Sequence, residues 1–307
     1  MSWFSPPQDI PTEVFASLPA AFREPRLTGW SRANKGGAVI DSFLEGPVVE
    51  PDGSLCVVDI PNGRVFRISP SATWSLLTQY DGWPNGMKRQ AGGALLIADY
   101  RRGLLRLDPS NGDLEPLLET LRSESFKGLN DLTFGPSGEI YFTDQGQTGM
   151  QDPSGRVYRL SGDGRLDCLL SNCPSPNGLV LNKAATHLYV AMTRACQVWR
   201  VPVTRDAGVS KAQVFVQLPG GISGPDGLAI DEDDNLAICD PGHGCVWLVD
   251  AFGVPRHRVH SCAGRTVTNL AYGGEDRRTL FMTESASGQV LAARVPVPGF
   301  PVRAQEA

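Results

Sequence analysis

Residues 224–250 read GPDGLAIDEDDNLAICDPGHGCVWLVD. The stretch resolves into three short β-prone runs, LAI (228–230), NLAIC (235–239) and CVWLV (245–249), separated by Asp, Asn, Gly and Pro. Such punctuation marks hairpins rather than helix. Near-copies open at Glu45 (EGPVVEPDGSLCVVDIPNGRVFRIS), Asn85, Asn130 (NDLTFGPSGEIYFTD), Asn177 and Asn269. Their starts recur every 40 to 49 residues. In four units an Asp lies 14 residues after the opening polar residue: Asp59, Asp99, Asp144 and Asp240. A repeat of this length, with about four strands per unit, predicts a β-propeller, and six units predict six blades.

The sixth unit runs out of chain before its outermost strand. TEVFASLPA (12–20) matches KAQVFVQLPG (211–220), the outer strand of the fourth unit. The predicted fold is therefore an all-β, six-bladed β-propeller with four-stranded blades, the last closed by an N-terminal strand. We expect a single domain over 1–307, with the closing strand at 12–18, a long connection at 19–44 and blades over 45–295. A connection that long is often functional. It either drapes over the mouth of the central channel or covers an edge.

Composition agrees. The 34 Gly and 24 Pro in 307 residues suit many tight turns. A net charge of −5, with no Lys/Arg run, argues against nucleic acid or anionic membrane as partner. No apolar run approaches the ~18 residues of a membrane span, and MSWFSPPQDIPTEVF lacks the pattern of a signal peptide. Seven cysteines without a CxxC pair suit a reduced, cytoplasmic protein.

In a propeller the residue opening each innermost strand stands beside the channel. Glu45, Asn85, Asn130, Asn177, Asp226 and Asn269 are thus expected to form an inner ring. Asp59, Asp99, Asp144, Asp240 and Glu284 should stand just outside it, as turn-formers or as site residues. A single PDG or PNG is ordinarily a turn. Six polar side chains in one channel are costly to bury unless they bind something. Two carboxylates among amides, with no His or Cys, describe a hard-cation site, Ca²⁺ first, with Mg²⁺ or Mn²⁺ tolerated.

EGPVV, NDLTFGPSGEIYFTD, PNGLVLN, GPDGLAID and TNLAYGG…TLFMTES together resemble the senescence-marker-protein/gluconolactonase/luciferin-regenerating-enzyme family, over residues of about 12–295. The resemblance implies a six-bladed propeller that hydrolyses lactones with one divalent cation, Ca²⁺ foremost and Mn²⁺, Mg²⁺ or Zn²⁺ as alternatives. It implies Glu45, Asn177 and Asp226 as metal ligands and Asn130 against metal and substrate. Asp226 is then the candidate general base. Family members often carry an Arg two residues before the NDL Asn; here that residue is Gly128. Substrate reading would pass to other turns on the same face: Arg194, Tyr100, Arg101 and His243. His243 is either pocket-lining or a surface turn. The partner would be a small lactone, with no nucleic acid or membrane, and the chain a monomer or weak homo-oligomer. Hydrolysis of phosphotriesters or non-sugar esters, and a non-catalytic binding propeller, are the alternative functions.

Overall fold

The computed structural model describes residues 6–301 apart from 205 and 207. Six antiparallel sheets, at 44–79, 84–118, 129–173, 176–217, 228–260 and 267–294, follow one another around a ring as the repeat requires. Their innermost strands pack side by side, and the last of them (Val267–Gly273) returns to the first (Leu44–Val49).

A blade in a ring has two buried faces, so its middle strands are apolar at every position instead of every second one. Leu55–Asp59 shows this. Leu55 and Val57 pack towards blade six, Cys56 and Val58 towards blade two. Each pair of neighbouring blades shares one such cluster, giving six apolar cores. Emptying one of the largest buried positions, Phe66, would cost about 3–5 kcal/mol. Four of the seven cysteines are buried: Cys56, Cys173 and Cys239 as filler in these clusters, and Cys245 beside them.

The N-terminal clasp is present. Glu13–Ser17 pairs antiparallel with Gln289–Arg294 as the outer strand of blade six. The segment just before it, Gln8–Pro11, also adds a fifth, parallel strand to Pro255–His260 of blade five, which the sequence reading did not anticipate. Between the two strands Thr12 donates its hydroxyl to the His260 carbonyl and accepts from the Cys262 N–H, at 2.7 and 2.8 Å. One strap therefore fastens two blades.

The 19–44 connection is ordered and does two jobs. Phe22 covers Phe66 at the edge of blade one, with ring centroids 4.8 Å apart. Beyond it a short helix, Gly29–Asn34, opens on a reciprocal Thr28–Ser31 capping box and seats its buried Trp30 on Phe43. Lys35 follows, at the mouth of the channel. Among the described residues no helix is long and apolar enough to cross a membrane.

Candidate active site on the channel axis

Strand register places the inner ring. Leu44, Pro84, Leu129 and Val267 sit opposite Asp59, Asp99, Asp144 and Glu284. The next residue in each blade is thus Glu45, Asn85, Asn130 and, in blade six, Thr268. Asn269 falls one position later than the sequence reading put it. That later position is Gly in four blades (46, 86, 178 and 227) and carries a side chain only as Asp131 and Asn269. The glycines make room. A Cβ on Gly86 would come within 2.2 Å of Asp131 Oδ1, and one on Gly227 within 2.4 Å of Asn269 Oδ1.

Glu45, Asp226 and Asn177 converge. Glu45 is buried, and its Oε2 accepts from the Gly46 N–H at 2.9 Å and from Asn269 Nδ2 at 2.8 Å. Burial pushes its carboxyl up to about 7, against those hydrogen bonds, and the Asp131 charge adds to the rise. Asp226 keeps partial access to the channel. Its carboxyl is held well above the ordinary range by desolvation first, then by Glu45 and Asp131, while Lys35 and a hydrogen bond to Asn177 oppose the rise. Burial raises both carboxyls first, Asp131 adds to both rises, and Glu45 adds to that of Asp226.

Two members of this group escaped the sequence reading. Asp131 is buried in the channel, with Lys88 Nζ 3.6 Å from its Oδ1. Lys35 senses the charges of Asp226 and Glu45 from above. Asp131 could have been found by aligning the units on their glycines, since it replaces one. Nothing in the pattern around Lys35 announces it, because the long connection follows no repeat.

Asn130 donates Nδ2 to Gln145 Oε1 at 2.9 Å, and Gln145 donates to Ser175 Oγ at 3.0 Å. This chain fixes the Asn130 amide and leaves its Oδ1 and one N–H for a ligand. Gln145 and Ser175 also form one side of a polar cleft of about 430 Å³ that includes Asn34, Gln147, Thr148 and Arg194. Tyr100 donates no side chain to the lining, but its hydroxyl accepts from Gln147 Nε2 at 3.0 Å. Arg101 lies elsewhere, in a separate groove, paired with Asp81 at 2.6 Å. His243 is held by Asp240, 3.1 Å away, beside the loop at Gly221.

The outer ring serves the turns. Asp59, Asp144 and Glu284 each accept from the N–H just before the innermost strand, on Phe43, Gly128 and Thr266, at 2.7–2.8 Å. Asp99 accepts from Arg101 N, Arg102 N and the Tyr80 hydroxyl. Asp240 accepts from Trp247 Nε1. These carboxylates brace the rim.

The donor set suits a hard cation. Glu45, Asp226 and the Asn177 amide are all oxygen donors, and a divalent charge would relieve the two strained carboxylates. Among the described residues no three His, Cys, Asp or Glu side chains gather as a metal-binding group. An ion here would have to complete its shell with the amide and water.

The profile described as the SMP-30/Gluconolactonase/LRE-like region matches residues 43–286. The chain is 28% identical over 289 residues to a gluconolactonase of Zymomonas mobilis, covering 84% of this chain and 80% of that one. It is 28% identical over 241 residues to a pentonolactonase of Haloferax volcanii, covering 78% and 80%. A solved calcium-binding protein, regucalcin from Agrobacterium tumefaciens, superposes with a TM-score of 0.78 at 21% identity, over 98% of this chain and 99% of that one.

Proposed function

This chain belongs to the SMP-30/gluconolactonase/LRE-like family, and on that premise we propose that it is a lactonase that opens the rings of small sugar-type or related lactones with the help of one divalent cation. The observation that carries the metal-assisted reading is the oxygen-donor group on the channel axis: Glu45 and Asp226, with the Asn177 amide hydrogen-bonded to Asp226 and Asp131 close enough to raise both carboxyls. Calcium is the favoured ion, by the oxygen donors and by the calcium-binding neighbour of the same fold.

Glu45, Asn177 and Asp226 would hold the ion. When bound, it supplies a Lewis acid for the lactone carbonyl and a lowered pKa for water. Asp226, open to the channel, takes the proton from the attacking water as the new C–O bond forms. It returns that proton to the ring oxygen as the ring C–O bond breaks. Asn130, clamped by Gln145, positions the substrate with its free amide atoms. The product is a hydroxy acid, and no other reactant is consumed.

We read the chain as one propeller domain acting on a small molecule, cytoplasmic, and monomeric or weakly self-associating. The buried thiols of Cys56, Cys173, Cys239 and Cys245 suit a reducing compartment. The test is a panel of lactones, phosphotriesters and simple esters, read by acid release with calcium present. Turnover of lactones above the other classes supports the reading. Preference for phosphotriesters or esters replaces it.

A further inference from the structure

Two cations meet at the mouth of the channel. Lys35 Nζ lies 4.1 Å from the centre of the Phe43 ring and 5.6 Å from that of Trp30. Burial lowers its pKa first, and the charges of Asp226, Arg194 and Glu45 all reach it. Arg194 stands in the turn Thr193–Ala195 of blade four and lines the polar cleft with Asn34, Gln145, Gln147, Thr148 and Ser175. By contrast, Arg64 pairs with Asp59 and Arg101 with Asp81. Among the described residues neither Lys35 nor Arg194 pairs with a carboxylate.

The charge balance then has a remainder. Lys88 sits on Asp131, and a divalent ion would offset Glu45 and Asp226. Arg194, which lines the cleft, and Lys35, whose chain neighbour Asn34 lines it, have no paired carboxylate among the described residues, in a chain whose net charge is −5. Like charges gathered in a cleft focus a field that draws in the opposite charge. A neutral lactone would leave both unmatched.

We propose that the preferred substrates are lactones bearing an anionic substituent, a phosphate or a carboxylate, held between Arg194 and Lys35 while the lactone carbonyl lies over Glu45, Asn177 and Asp226. The inference rests on the lactonase reading. Arg194 supplies a fork of donors to the anion, and Lys35 a point charge whose position is fixed by its aromatic seat.

The experiment compares kcat/KM, at low ionic strength, for a neutral aldonolactone, its phosphate monoester and the same ring carrying a free carboxylate. At least one anionic lactone should be favoured by about tenfold or more, the worth of one charge-assisted hydrogen bond. In the Arg194→Gln/Lys35→Gln double variant the ratio should fall to about one. A second measurement needs no turnover: calorimetric titration of the open-chain phosphorylated aldonate into the protein in calcium buffer. Binding should weaken by about tenfold or more in the double variant. A wild-type ratio at or below one for both anionic lactones overturns the proposal, as does a preference that survives the double substitution. Should no lactone be turned over, the functional reading fails, and the titration still decides whether Arg194 and Lys35 hold an anion.

Discussion

The ring of Tyr100 occupies the space that a side chain at Gly128 would need. A Cβ built on Gly128 would lie 2.4 Å from the Tyr100 Cζ, and the residue adopts φ +150°, where other residues are strained. The missing arginine is thus a property of blade two as much as of blade three. Gly128→Arg should lower the melting temperature by several degrees, consistent with backbone strain of about 1–3 kcal/mol plus the overlap. Adding Tyr100→Ala should recover part of the loss. A Gly128→Arg protein as stable as wild type would show that Tyr100 yields freely.

The same vacancy bears on selectivity. Without that arginine the site should hydrolyse several small five- or six-membered lactones, with no sharp preference for gluconolactone over an unsubstituted γ- or δ-lactone. Relative kcat/KM values check this. A thousandfold gluconolactone preference that persists in Arg194→Ala would mean that another residue reads the hydroxyls.

Chelation should abolish turnover, and Ca²⁺, Mn²⁺ or Zn²⁺ should restore it to different degrees. Stability should follow. Glu45 titrates near 7 in the folded chain, above the ordinary glutamate value. Stability present at low pH is therefore lost as pH rises through about 7 in the metal-free protein. Calcium should raise the melting temperature more at pH 7.5 than at pH 5. A calcium effect independent of pH, measured by thermal unfolding, would contradict the pairing of Glu45 with the ion.

Asp226→Ala should remove nearly all turnover, since it deletes a metal ligand and the general base together. Asn130→Ala should lower kcat while leaving metal content near that of wild type, because Asn130 is tied to Gln145 and lies outside the proposed ligand set. Elemental analysis of both variants decides. An Asn130→Ala protein that loses its metal would move Asn130 into that set.

Deleting residues 1–18 should cause aggregation or a clear drop in melting temperature. It strips the outer strand from blade six and the added strand from blade five, and leaves their edges unpaired. An equally stable, soluble deletion would count against the clasp.

The period, the blade number and the clasp were legible because hairpin punctuation and strand pattern repeat along the chain. Aligning the units on their first polar residue found Glu45, Asn130, Asn177 and Asp226. It hid Asp131 and misplaced Asn269 by one residue, because the bulged starts of the innermost strands of blades three and six put two residues near the axis, where other blades carry a glycine at the second. Gln8–Pro11 was missed because its pattern of Asp and Pro resembles a turn, and its pairing depends on an edge some 250 residues away. Lys35 and Asn34 reach the mouth from the long connection, which no repeat encodes.

The strap formed by residues 8–17 also sets an order of events in folding. Its partners, at 255–260 and 289–294, leave the ribosome long after it does. At about 5–20 residues per second the wait is on the order of tens of seconds. Through that interval a strand-forming segment has no native edge to join, and the growing arc of blades stays open. Ring closure therefore waits until the strand at 289–294 has emerged, and until then the N-terminal strap is an unpaired edge of the kind that invites non-native pairing.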